Sequence, residues 1–142
     1  MDSITDSWEK RFSKFGAFWI HDGNLKRPFA RLTSGLISDG YFNGSVVAEH
    51  AKLFGEACEA LTIRSELDTT MKWGATRVIG AAMGAIQLCG RVAEAASLKS
   101  ACAEKEDNAF AFKRFVLGPG ECFVLVEDTI TTGGTLEKLK RA

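Results

Sequence analysis

Cys122-Phe123-Val124-Leu125-Val126-Glu127-Asp128-Thr129-Ile130-Thr131-Thr132-Gly133-Gly134-Thr135 is the stretch on which the fold turns. An uninterrupted apolar run of this length reads as a strand buried on both faces, and the helix expected from Leu136 makes it a strand-turn-helix unit. The strand delivers two adjacent acids at its C-terminal end. The Thr-rich, Gly-rich turn that follows can point successive amides and three hydroxyls at one anion, which is the arrangement of a phosphate cradle. No Gly-Lys-Ser/Thr follows, so it is not a Walker loop, and the G-x-G-x-x-G of a dinucleotide fingerprint is absent. Acids beside a phosphate site would repel the ligand unless they hold sugar hydroxyls or face a divalent cation. A sugar phosphate fits.

Upstream, Arg77-Val78-Ile79 runs into Gly80-Ala81-Ala82-Met83-Gly84 and then into an apolar helix through Ile86, Leu88, Cys89, Val92 and Ala93. Two such units predict an α/β fold with a parallel sheet covered on both faces. Between them, Lys99 to Ala103 and Ala111 to Val116 read as strands flanking Glu104-Lys105-Glu106-Asp107-Asn108, with a turn at Leu117-Gly118-Pro119-Gly120. Toward the N-terminus, Trp8, Phe12, Phe15 and Phe18 or Trp19 recur at helical spacing, predicting one helix from about Asp6 to Ile20. Short strands joined by tight turns follow from Arg31 to Asn43. A second helix is expected from Ser45, as N-cap, to about Leu61.

The chain has 142 residues with 18 Lys and Arg against 18 Asp and Glu, a balance that argues against a nucleic-acid binder. No stretch resembles a membrane span or a signal core, which predicts a soluble cytoplasmic protein. Cys58, Cys89, Cys102 and Cys122 are far apart and without a C-x-x-C pair, so reduced thiols are expected rather than disulfides or metal ligands. His21, in a turn-like His-Asp-Gly-Asn, and His50, in a helical pattern, are read as solvated or capping residues. The helix begun at Thr135 has only one or two turns before Ala142, and the chain is expected to be truncated at its C-terminus.

The acidic pair, two variable residues and Thr-Thr-Gly-Gly-Thr together resemble the phosphoribosyl pyrophosphate signature of the type I phosphoribosyltransferases. Three further segments resemble the orotate phosphoribosyltransferases in family order: Leu32 to Asn43 their base-binding segment, Val78 to Ile86 their pyrophosphate turn, and Glu104-Lys105 with Lys113-Arg114-Phe115 their short mobile loop. The resemblance implies a small N-terminal hood over residues 1–44, a core over 45–142, together one structural domain, and a homodimer with shared active sites. It implies transfer of phosphoribosyl from phosphoribosyl pyrophosphate to orotate with Mg²⁺ held mainly through substrate, giving orotidine 5′-monophosphate for pyrimidine synthesis.

By the same resemblance, Glu127 and Asp128 would contact the ribose hydroxyls, with Asp128 and Lys105 catalytic, and Thr129, Thr131, Thr132, Gly133, Gly134 and Thr135 would hold the 5-phosphate side. Gly80, Met83 and Gly84 would meet pyrophosphate, Lys105 and Arg114 would come over it, Lys105 from the partner subunit in some arrangements, and Ser34, Tyr41 and Phe42 would frame the base. Thr33 and Leu36 stand where many relatives carry cations, which weakens carboxylate recognition. A phosphoribosyltransferase for another base, or a silent nucleotide-binding relative, therefore stays open.

Overall fold

The computed structural model describes residues 4–32, 35–65 and 74–142. The chain divides into two compact units, Met1–Ala51 and Lys52–Ala142. That division falls later than the expected boundary after Gly44.

In the first unit, α1 (Ile4–Ser13) is followed by β1 (Phe18–Ile20), β2 (Ala30–Arg31), β3 (Ile37–Ser38), β4 (Gly40–Phe42) and α2 (Gly44–Glu49). The single helix expected to Ile20 stops early. Gly16 adopts φ +71°, and the Ala17 amide donates back to the Phe12 carbonyl at 3.1 Å, which closes the helix with a left-handed residue. Phe18 and Trp19 therefore lie on a strand, where β1 pairs antiparallel with β4 through Phe18↔Phe42, Trp19↔Tyr41 and Ile20↔Gly40. Phe12 packs between Trp8 and Phe42, with ring centroids 5.5 and 5.6 Å away. The aromatic stripe comes from two elements instead of one and is only partly core: Trp8, Phe12 and Phe18 are half-buried, whereas Phe15 and Trp19 are exposed.

Three further readings are corrected here. His21 is buried rather than solvated: its ring stacks on Phe29 at 4.0 Å, Nδ1 accepts from the Gly23 amide, and Nε2 lies 3.2 Å from the Arg27 carbonyl. It closes the 21–27 loop from inside. Asn43, not Ser45, caps α2, its Oδ1 accepting from the Ser45 amide at 3.1 Å. The expected single helix to Leu61 is broken at His50, which caps α2 before α3 (Ala51–Arg64) begins.

The second unit continues with β5 (Arg77–Ala81), α4 (Ile86–Ala95), β6 (Lys99–Glu106), β7 (Ala109–Ala111), β8 (Phe123–Val126) and α5 (Gly134–Leu139). Its sheet has the order β7-β6-β5-β8, with β5 parallel to both β6 and β8, and β7 antiparallel at the edge. Every residue of β5 is buried. Side chains alternate across a strand, so Val78 joins Cys58, Cys89 and Val92 on one face while Ile79 and Ala81 join Ala101, Ala103 and Leu139 on the other. Both faces are covered, as a mostly parallel sheet requires.

The expected loop at Glu104-Lys105-Glu106 is strand. Glu104↔Ala111, Lys105↔Phe110 and Glu106↔Ala109 pair across a hairpin whose two-residue turn is Asp107-Asn108, with Asp107 at φ +50°. Conversely, Phe112 to Val116 leave the ladder, and Phe112, Phe115 and Leu117 pack under the sheet. Burial pushes the Cys58 and Cys89 thiols up to about 11, so both are protonated and unreactive at neutral pH.

At the start of β5, Arg77 makes a two-pronged contact with Glu121, Nε to Oε2 at 3.1 Å and Nη2 to Oε1 at 3.0 Å. Hydrogen bonding to the guanidinium holds the Glu121 carboxyl below its ordinary range. A carboxyl lowered in the folded state adds stability above its unfolded pKa and loses it as pH falls through the folded value. Glu121→Gln is therefore expected to lower the urea midpoint at about pH 7, with the gap from the parent closing as pH drops below about 4. A gap that stays constant across that range would show that the charge on Glu121 contributes nothing.

Candidate functional site

From β5 the chain passes through α4 to β6 on one side, and β8 later returns to pair on the other. Strand order thus reverses beside β5, and open α/β sheets bind ligands at the carboxyl ends of the strands flanking such a point. A cavity of about 450 Å³ lies there, a size suited to one small-molecule ligand. Ala81, Ala82 and Gly84 form its β5 side, Glu127 and Asp128 its β8 side, and Thr132, Gly134, Thr135 and Lys138 the turn and helix beyond. Lys105, Asn108, Ala109 and Phe110 close it from the β6–β7 hairpin.

Two glycines set the β5 side. A Cβ on Gly80 would stand 2.7 Å from the Ala85 carbonyl oxygen and 2.9 Å from Cys89 Cβ, so α4 can pack this close only over a bare backbone. A Cβ on Gly84 would stand 2.9 Å from Asp128 Oδ1. The Asp128 carboxylate thus rests directly on the turn after β5, joining the two loops of the crevice. The peptide between Ala82 and Met83 is cis.

Of the three threonines expected in the cradle after β8, two reach the cavity wall and Thr131 does not. Among the described residues, no protein group accepts from the amides of Thr131, Thr132, Gly133, Gly134 or Thr135, and the hydroxyl-bearing Thr132 and Thr135 line the cavity. Gly133 takes φ +76°, which turns the chain into α5. Such a run of unpaired amides in a tight turn has donors to offer an anion. The amides of Met83 and Gly84 are likewise without a protein acceptor among the described residues.

Of the residues singled out from sequence, Lys105, Gly84, Glu127, Asp128, Thr132, Gly134 and Thr135 come together on this cavity, and Gly80 supports it from behind. Thr129, Thr131 and Gly133 belong to the same turn without lining the wall, and Met83 is 82% exposed at its edge. Lys105 lines the cavity of its own chain. Arg114 does not reach it: Nε is bound to Glu104 Oε1 at 2.8 Å, as Lys113 is to Glu106. Tyr41 and Phe42 lie on β4 of the first unit, Phe42 packed on Phe12. Ser34, with Thr33, lies outside the described residues. Asn108, Phe110 and Lys138 were missed. For Lys138 a signal existed, since it follows Thr135 by one helical step of three.

Solved structures with this fold include an orotate phosphoribosyltransferase from Aeropyrum pernix, 21% identical, with a TM-score of 0.62 over 92% of this chain and 69% of that one. An adenine phosphoribosyltransferase from Trypanosoma brucei matches with a TM-score of 0.61 at 15% identity, over 96% of this chain and 60% of that one. Sheet order, crevice and acidic turn therefore define a type I phosphoribosyltransferase fold. No protein-family model matches the chain. Orotate phosphoribosyltransferases from Desulforamulus reducens and Pelotomaculum thermopropionicum are each 37% identical to it, over 77% and 89% of this chain and 55% and 64% of those proteins. The chain has the type I phosphoribosyltransferase fold, and its sequence is similar to these orotate phosphoribosyltransferases. It spans between about half and two-thirds of their length.

The two glycines should respond differently to one added methyl. Gly80→Ala meets backbone on the Ala85 side and is expected to cost about 1–3 kcal/mol of stability, measured by urea denaturation. Gly84→Ala meets the movable Asp128 carboxylate first, so the fold should survive with a urea midpoint close to the parent's. Equal stability losses for the two would refute the assignment of Gly84 to the crevice rather than the core.

Proposed function

We propose that this chain carries the phosphoribosyl-transfer site of an orotate phosphoribosyltransferase, making orotidine 5′-monophosphate and pyrophosphate from orotate and phosphoribosyl pyrophosphate for pyrimidine synthesis. The observation that carries the reading is one cavity lined by Gly84, by the Glu127–Asp128 pair and by Thr132, Gly134 and Thr135, with the amides of Gly84, Thr132, Gly134 and Thr135 free of protein acceptors among the described residues and Asp128 resting against Gly84. A sugar with a phosphate at one end and a pyrophosphate at the other matches that order: anion, hydroxyls, anion.

In this reading the Thr131–Thr135 turn holds the 5-phosphate, the acidic pair accepts from the ribose hydroxyls, and the Ala81–Gly84 turn donates to pyrophosphate. A ring nitrogen of the base shares its lone pair with the anomeric carbon. As that bond forms, the carbon–oxygen bond to pyrophosphate breaks, the oxygen keeps the electron pair, and the proton lost from the ring nitrogen passes to solvent or to the departing pyrophosphate. No side chain need act as nucleophile. What the protein supplies is orientation and stabilisation of charge as it passes to the leaving group.

Lys105 is placed to do the second. It lines the cavity and, among the described residues, pairs with no carboxylate, although Glu104 and Glu106 flank it. Those two neighbours are engaged by Arg114 and Lys113 instead. Pairing off the adjacent acids leaves the Lys105 ammonium available to the ligand.

Magnesium belongs to the same reading through the family resemblance. Two carboxylates fit an ion that keeps most of its ligands as water and substrate oxygens, the usual habit of Mg²⁺ at phosphates. Glu127 and Asp128 would face it, and it would neutralise charge on the departing pyrophosphate. A homodimer and a cytoplasmic location are also part of the proposal and rest on the resemblance; among the described residues no helix is long and apolar enough to cross a membrane.

The test is mass-spectrometric detection of nucleotide after incubating the chain with Mg²⁺, phosphoribosyl pyrophosphate and a mixture of orotate, uracil, adenine, guanine, hypoxanthine and xanthine. Orotidine 5′-monophosphate is expected. A different nucleotide would move the assignment to another base, which the lack of a cation at Leu36 favours, and saturable binding without product would indicate a silent relative. Lys105→Ala is expected to lower kcat by about two orders of magnitude with the urea midpoint unchanged. Unaltered turnover in that variant would remove Lys105 from the chemistry.

A further inference from the structure

Several cations of this unit that lie outside the cavity are paired with carboxylates, among them Arg77 with Glu121, Arg91 with Glu94, Lys113 with Glu106 and Arg114 with Glu104. Two lysines line the cavity, and among the described residues neither Lys105 nor Lys138 has a carboxylate partner. Lys138 has a neutral one. Its Nζ donates to Asn108 Oδ1, at the tip of the β6–β7 hairpin, at 2.5 Å. An ammonium has three donors, so one bond to an amide oxygen fixes its position while leaving its full charge and two donors for something else.

Geometry indicates what that is. Lys138 follows Thr135 by three residues on α5, so the two share a face, and both line the cavity. Helical side chains slant toward the N-terminal end of their helix, which sends the Lys138 stem back over Thr135 toward the Thr131–Thr135 turn. We propose that Lys138 is a positioning cation for the 5-phosphate: Asn108 holds its ammonium at the edge of the phosphate turn, so that the ligand's phosphate is met by a charge as well as by amides and hydroxyls. The inference deepens the reading of this cavity as a phosphoribosyl pyrophosphate site and rests on it.

The arrangement has a second consequence. Asn108 lies on the hairpin that carries Lys105, so a phosphate drawing on Lys138 also engages the segment that bears the pyrophosphate cation. The two ends of the ligand are thereby read by one hairpin, one end through Lys105 itself and the other through the Asn108–Lys138 bond.

Calorimetric titration of the full chain with Mg²⁺-phosphoribosyl pyrophosphate and, separately, with inorganic pyrophosphate tests this, using the parent, Lys138→Ala and Lys138→Arg. Lys138→Ala should weaken phosphoribosyl pyrophosphate roughly ten-fold, the size of a lost charge-assisted bond at a partly solvated site, and leave pyrophosphate within about two-fold. Lys138→Arg should recover most of the loss, and in turnover assays the alanine variant should raise KM with kcat little altered. Equal affinities in parent and Lys138→Ala, or equal weakening of both ligands, would overturn the role for Lys138 while leaving the site reading intact. A parent chain that binds neither ligand would overturn both. Lys138 is exposed on α5, so its removal is not expected to unfold the chain, and an unchanged urea midpoint verifies this.

Discussion

Everything in the second unit depends on β5 being hydrogen-bonded on both edges and buried on both faces. A strand so placed has no freedom of register: a shift of one residue would exchange Val78 with Ile79 and move each into the wrong core. Its C-terminal end is fixed as firmly, and the residues there are small for a mechanical reason. Gly80, Ala81 and Ala85 allow α4 to begin within contact distance of the strand, which leaves the Ala81–Gly84 turn standing open at the crevice. Cys89 completes the clamp, its thiol lying 3.3 Å from the carbonyls of both Val78 and Ala101. Rigid packing behind the turn is what permits its amides to remain unpaired in front.

The parts of this architecture that were legible in the sequence were those where one kind of periodicity governed alone. Val78-Ile79 is apolar without alternation because both faces of β5 are covered, and in β8 Val124 and Val126 pack into one core and Leu125 into the other, with Phe123 exposed at the strand's start. The β6–β7 hairpin was misread because its charges were taken for a loop. Only Ala101 and Ala103 of β6 are buried; Glu104, Lys105 and Glu106 continue the same strand past the edge of the core, where polarity and strand pairing coexist. The turn residues Asp107-Asn108 held the better information, being types that tolerate φ above zero. At the N-terminus the helical spacing of Trp8, Phe12 and Phe15 ran on by coincidence into Phe18, and Gly16 was the stop signal that outweighed it.

The site divides in the same way. The residues of the β8 turn are legible in the sequence because they stand in consecutive positions, and Gly84 because its segment resembles a pyrophosphate turn; that Gly84 abuts Asp128 appears only in the fold. Arg114 looked equivalent to Lys105 in the sequence, and only the three-dimensional pairing separates them: Glu104 takes up Arg114 and thereby frees Lys105. Asn108 and Lys138 are thirty residues apart and carry no motif, so their hydrogen bond was visible only once the hairpin and α5 were folded against each other.

A chain with no net charge must still attract a ligand expected to carry several negative charges, and the wall charges do not explain how. Among the described lining residues Lys105 and Lys138 are offset by Glu127 and Asp128. A cavity of zero formal charge gains anion affinity only by segregating its charges and by presenting dipoles, which cost no counter-charge. Here Asp128 rests against Gly84 of one turn and precedes the other turn in the chain, so on the proposed reading each anionic end of the ligand would meet donors and its middle the acids. A plain phosphate or a nucleic-acid backbone, lacking hydroxyls at that spacing, would leave the acids facing a phosphate without compensation. On the proposed reading, a neutral cavity with segregated charges would favour a phosphorylated sugar over other anions, where a basic pocket would accept them all.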